Sequence, residues 1–133
     1  MRRCRAFGLL LTALFAVGGC GNPDAPNVSG SMEKAVVKGT VSVRGKKVTN
    51  GEVSFYAANI NRPNVQAVNA KIDKDGSFTA EPLIGENNVE VSCKELANRK
   101  NMNLVDNIQP VKIKSGQQTL DIELPSNAVL ETK

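Results

Sequence analysis

The chain contains no histidine, no tryptophan, one tyrosine and four phenylalanines in 133 residues. Without histidine there is no Ser-His-Asp triad, no Cys-His pair and no imidazole metal ligand. The side chain that most often moves protons near neutral pH is also missing. So few aromatics leave little from which to build a stacking platform for sugars or bases. No Gly-rich phosphate loop and no CxxC motif occurs. The apolar stretch from Ala6 to Val17 has 12 residues, too few to cross a bilayer as a helix, which takes about 20. These absences lead us to expect a protein that is not an enzyme and carries no cofactor or metal.

What is present begins at the N-terminus. A basic start, Arg2-Arg3-Cys4-Arg5, precedes the apolar stretch, and the stretch ends in Val17-Gly18-Gly19-Cys20. A charged start, a short apolar centre and small residues at the end are the marks of a removable secretory signal. Val17-Gly18-Gly19-Cys20 resembles a bacterial lipobox. The resemblance implies cleavage before Cys20 and lipidation of Cys20, which would anchor the protein to a membrane. Each acyl CH₂ contributes about 0.8 kcal/mol, so two or three chains hold firmly. Gly21, rather than Asp, follows the cysteine. By resemblance to bacterial lipoproteins this favours the outer membrane or outer surface of the cell envelope.

Removing residues 1–19 leaves 114 residues and takes away Arg2, Arg3 and Arg5. The basic count falls from 17 to 14 against 13 acidic residues. That near-balance leaves no electrostatic footprint for nucleic acid. Cys4 leaves with the signal and Cys20 is modified, so Cys93 has no intramolecular partner even in an oxidising compartment. Val89, Val91 and Cys93 share one face of a strand pattern, and a small, largely buried thiol is the expectation.

Residues 20–34, rich in Gly, Pro and Ser, read as a flexible tether. Residues 35–124 suffice for one modest core, and 125–133 read as a loose tail. Within the domain the apolar period is two rather than 3.6. Val37, Gly39, Val41 and Val43 alternate with polar residues, and Asn50-Gly51 marks a turn before Glu52–Ala57. Val65–Ile72 reads as a strand with Val65, Ala67 and Ile72 inward. Asp73-Lys74-Asp75-Gly76 is a tight turn into Ser77–Ala80, and Glu86–Cys93 is a fifth strand. Val111–Lys114 and Thr119–Leu124 read as a closing hairpin around Ser115–Gln118. Seven short strands with frequent turns point to an all-β sandwich. Ser92-Cys93-Lys94-Glu95 has the form of a capping box, so a short helix between strands five and six competes with a long irregular loop.

These residues also carry a resemblance. Val37-Lys38-Gly39-Thr40-Val41, Gly45-Lys46-Lys47-Val48, Asn50–Phe55, Ile72–Phe78, Leu83-Ile84-Gly85 and Val89–Ser92 resemble the carboxypeptidase regulatory-like, transthyretin-like domain of small planctomycete-type lipoproteins. The resemblance covers about Val36 to Leu124. It implies a transthyretin-like (prealbumin-like) β-sandwich that is an accessory module without a zinc site. The family has an aromatic two residues after the glycine of Leu83-Ile84-Gly85. Asn87 stands there instead, so the tyrosine contact that would order this corner is absent.

Asp73-x-Asp75-Gly76 starts like a calcium loop, but Ile84 occupies the twelfth position, where a bidentate Glu is needed. A turn with an Asp accepting backbone N–H bonds and Gly76 at positive φ is the simpler expectation. Lys46-Lys47 and Arg99-Lys100 are surface cations. Asp121 and Glu123 are read as charges protecting an exposed edge rather than as a catalytic pair. Lys94–Gln109 is the longest connection. Its Leu96, Met102, Leu104 and Val105 either cover an open end of the sandwich or form a contact patch. A partner-binding surface is placed at Arg99, Lys100 and Met102. The expected function is a non-catalytic envelope lipoprotein whose sandwich binds an envelope protein or has a structural role. The alternative is an accessory or regulatory subunit of an envelope hydrolase.

Overall fold

Alternating valines need a surface to bury one face against, and here two sheets supply it for each other. A computed structural model describes residues 28–97, 99–104, 106–125 and 127–131, with only the backbone for residues 100, 103 and 127–131. Cys20, the signal and residues 20–27 lie outside the described residues. The strands are β1 (Val36–Val43), β2 (Lys46–Lys47), β3 (Gly51–Tyr56), β4 (Val68–Ile72), β5 (Ser77–Ala80), β6 (Gly85–Cys93), β7 (Gln109–Ile113), β8 (Gln117–Leu124) and β9 (Asn127–Glu131). One sheet has the order β2-β1-β8-β9, with β5 also paired to β1; the other has the order β4-β3-β6-β7. The fold is all-β and sandwich-like.

The core lies between the sheets. Val37, Val41, Phe78, Leu120, Ile122 and Leu124 from one sheet meet Val53, Phe55, Ile72, Val89, Val91 and Ile113 from the other. The rings of Phe55 and Phe78 bridge the layers with centroids 6.2 Å apart. Each such fully buried side chain contributes about 1.5–3 kcal/mol. β1 and β8 run parallel, with Val37 opposite Gln118 and Val43 opposite Leu124. Gly39 makes that pairing possible. A Cβ there would lie 1.7 Å from the Leu120 carbonyl oxygen.

Several expectations need correction. The stretch from Val111 to Leu124 is not a hairpin, because β7 pairs with β6 while β8 pairs with β1 and β9. The turn between them carries the chain from one sheet to the other. The Gln118 amide fastens it, donating to the Lys114 carbonyl at 3.1 Å. The end of the chain is not a loose tail throughout. Asn127–Glu131 forms β9, antiparallel to β8, with Glu123 opposite Asn127 and Thr119 opposite Glu131. β8 is therefore an interior strand, and Asp121 protects no edge. Its carboxylate accepts the Thr40 amide at 2.9 Å and the Thr40 hydroxyl at 2.7 Å, replacing a break in the β1–β8 ladder. In β4 the inward set is Val68, Ala70 and Ile72, and Ala67 is exposed. Pairing of Phe55 with Val68 and of Gly51 with Ile72 imposes that parity, and a one-residue slip would turn every side chain over.

No α-helix occurs among the described residues between β6 and β7. Lys94–Ala97 and Arg99–Leu104 are 3₁₀ segments. Ser92 is still part of β6, so the capping box does not form.

Candidate functional site

The strands define two poles. β6 starts at Gly85 and ends at Cys93, about 26 Å further on at strand rise. Residues 94–108 leave from the Cys93 end. The N-terminal segment docks at the Gly85 end.

At the Cys93 pole, the segment expected to carry recognition divides its apolar residues between two uses. Leu96 and Leu104 are buried and join the core, while Met102 is 66% exposed. Arg99 is exposed beside it. The side chain of Lys100 and the whole of Val105 lie outside the description. Two asparagines shape this pole. Asn107 accepts from the Val91 amide at 2.8 Å and donates to the Val91 carbonyl at 2.9 Å, pairing with β6 as a strand residue would. Asn101 donates to the Glu95 carbonyl and accepts from Arg44 Nε, both at 2.8 Å. Such side chain–backbone bonds compete with helical ones, which accounts for tight 3₁₀ turns rather than an α-helix. Cys93 is a free thiol, half-buried against the core. Burial pushes its pKa up, so it stays protonated and weakly nucleophilic at neutral pH.

The Gly85 pole is built around Arg62, in the connection between β3 and β4. Its side chain is 4% exposed. The guanidinium donates to four backbone carbonyls: Ala57, Ser31 at 2.8 Å, Ile84 at 2.8 Å and Glu86 at 3.0 Å. A buried charge is tolerable only when its donors are used, and the planar fork suits several acceptors at once. Neighbouring bonds fasten the same segment. Asn59 and Asn61 donate to the Ser29 and Val28 carbonyls, and Ser29 N–H donates to Glu86 at 2.9 Å. Ile84 and Ala35 amides bond to Glu33 and Pro82 carbonyls. Residues 28–34 therefore belong to the folded domain, which corrects the tether running to residue 34. Asn87 sits buried at the same corner and donates to the Leu83 and Gly85 carbonyls at 2.9 and 3.1 Å. It orders the loop that the missing aromatic had left without a contact.

An open cleft of about 330 Å³ lies on the outer face of the four-stranded sheet near this pole, lined by Tyr56, Asn59, Glu86, Asn88, Pro110 and Lys112 among others. Tyr56 donates to Glu90 at 3.0 Å, and that bond raises its pKa. Glu86 lies 3.4 Å from Lys112. Its pKa is lowered, first by the Ser29 amide, then by its own amide and by Lys112. The cleft offers an ion pair and a phenol already bonded to a carboxylate. It has no nucleophile paired with a base.

The Asp73–Gly76 turn is closed by Gly76 N–H to the Asp73 carbonyl at 2.9 Å, with Gly76 at φ 85°. Asp75 accepts the Ser77 amide and hydroxyl at 3.0 and 2.6 Å, which lowers its pKa. Among the described residues no cluster of three His, Cys, Asp or Glu could hold a metal ion. No helix among them is long and apolar enough to cross a membrane.

The fold has a distant likeness among solved structures. A crystal structure of a DUF3823 family protein from Parabacteroides merdae ATCC 43184 superposes with a TM-score of 0.48 at 16% identity, over 70% of this chain and 46% of that one. This chain thus spans under half the length of that protein. No family model and no curated protein matches the sequence.

Proposed function

We propose that this is a non-catalytic lipoprotein of the bacterial cell envelope. Acyl chains on Cys20 hold it to the membrane, and a transthyretin-like, carboxypeptidase regulatory-like sandwich serves as a binding or structural module. The observation that carries the reading is the run Val17-Gly18-Gly19-Cys20 behind a basic start and a 12-residue apolar stretch. The docking of residues 28–34 at the Gly85 pole supports the arrangement, because the chain from Cys20 then enters there and the Cys93 pole lies at the other end. Arg99 and Met102 at that far pole, with Lys100 beside them, are the recognition surface. Met102 is exposed, as is Ile108, on a segment whose Leu96 and Leu104 are used in the core.

Cell fractionation and mass spectrometry of the N-terminal peptide test the anchor. Wild type should be found in membranes with acyl chains on Cys20, and Cys20→Ala should be released or left unprocessed. A variant acylated and fractionated like the wild type would refute the reading. Crosslinking in the native envelope identifies the partner, and a hydrolase recovered there would make the module an accessory subunit.

A further inference from the structure

We propose that the Gly85 pole rests against the lipid surface itself, with Met32 and Ile60 as the side chains that touch it. The inference deepens the proposed function and rests on acylation of Cys20.

The first argument is reach. Cys20 precedes Val28, the first described residue and one bonded to Asn61, by eight positions. Fully extended, that length spans at most about 29 Å. Were the domain to begin at Ala35, the reach would be about 54 Å by the same rule. Fastening Val28–Lys34 with Arg62, Asn59, Asn61 and Glu86 thus brings the body near the surface and selects the pole that meets it.

The second argument is what this pole presents. Ile60 occupies the second position of the turn Asn59–Arg62, which is closed by Arg62 N–H to the Asn59 carbonyl at 3.1 Å. Turn tips favour Pro, Asp, Asn and Ser, yet Ile60 stands there 71% exposed. Met32, 65% exposed, sits between Ser31, whose carbonyl accepts from Arg62, and Glu33, whose carbonyl accepts from Ile84. Both apolar side chains therefore ride on backbone tied to the same buried guanidinium. A rigid mount loses little conformational entropy when its side chain enters the interface. Singly exposed apolar residues are ordinary. The weight here comes from two of them on the pole where the anchor enters. The charged residues flanking them, Glu33, Lys34 and Glu86, are mixed in sign, so the contact is apolar and does not require anionic lipid.

The test uses the acylated full-length protein in phosphatidylcholine vesicles, in a Cys93→Ser background. Nitroxide labels are placed at Ile60→Cys or Met102→Cys, and their collision rates with oxygen and with a water-soluble nickel chelate are compared. The label at 60 should be several-fold more accessible to oxygen relative to chelate than the label at 102. Met32→Cys gives the same reading if the turn variant folds poorly. Mass spectrometry of the same sample reports the acyl chains. If Cys20 is acylated and both labels are equally open to chelate, the pole assignment is wrong while the anchor stands. If Cys20 carries no acyl chain, the anchor reading fails and the inference falls with it. Dipolar broadening between labels at 60 would mean that a second copy covers the pole, which also overturns the proposal.

Discussion

The two poles of the sandwich are closed by different chemistry. At the Gly85 pole a single buried guanidinium gathers carbonyls from three stretches of chain: the N-terminal segment, the 57–62 loop and the start of β6. At the Cys93 pole two neutral asparagines hold a run of 3₁₀ turns, and two leucines plug the core beneath it. Removing a charge from the first leaves several buried acceptors without donors. Removing an amide from the second leaves one or two. The difference separates a rigid mounting from a pole whose surface can be changed cheaply, as expected if one end positions the domain and the other recognises something.

Arg62→Ala should break the contrast most strongly. With four carbonyls unpaired, and about 1–3 kcal/mol at stake for each buried polar group left unsatisfied, we expect a loss of about 3–5 kcal/mol in chemical denaturation. Arg62→Lys keeps the charge but not the fork, so it should recover only part. A loss for Arg62→Ala below about 1 kcal/mol would erase the distinction between the poles. Asn107→Ala, at the other pole, should cost about 1–2 kcal/mol. It should speed hydrogen exchange of the Val91 amide while leaving that of Ile84 unchanged. Equal acceleration at both amides would show the poles to be one cooperative unit.

Glu86 gives the contrast a pH dependence. Its folded pKa lies below the ordinary 4.5 because it accepts the Ser29 amide. The stability it contributes is therefore fully present above that value and is lost as pH falls through the folded pKa. The gap in melting temperature between wild type and Glu86→Gln should be constant near neutrality and close below about pH 4.5. A gap unchanged into strong acid would remove Glu86 from the fastening of the N-terminal segment. The smallest effect on stability belongs to the far surface. Arg99→Ser with Met102→Gln should move stability by no more than about 0.5 kcal/mol while reducing partner capture. A collapse in stability would make that surface part of the core.

How much of this could be read in advance depended on whether the determinant was local. The valine alternation of β1 and the Asp73–Gly76 turn are local, and each appears where the sequence placed it. Ser115-Gly116 was local too, yet misleading. The same turn chemistry serves a hairpin or a crossing between sheets, and the partner strand decides which. β9 was missed because Asn127–Glu131 becomes a strand by pairing with β8, a non-local choice. Arg62 was missed for a similar reason. Its four acceptors come from residues up to 31 positions away in sequence. The one local hint was an arginine fixed before Pro63, a position biased to extended backbone, in a stretch otherwise free of charge. The surface at Met102 was half legible. Its apolar content was plain, but which residues turned inward depended on where Asn101 and Asn107 found partners.

The central claim, an anchored pole and a recognising pole on one small domain, is tested most directly by photo-crosslinking in intact cells from position 60 and from position 102. The account predicts lipid adducts from 60, and from 102 a discrete protein adduct that weakens with Arg99→Ser. Protein adducts from 60 together with none from 102 would contradict it.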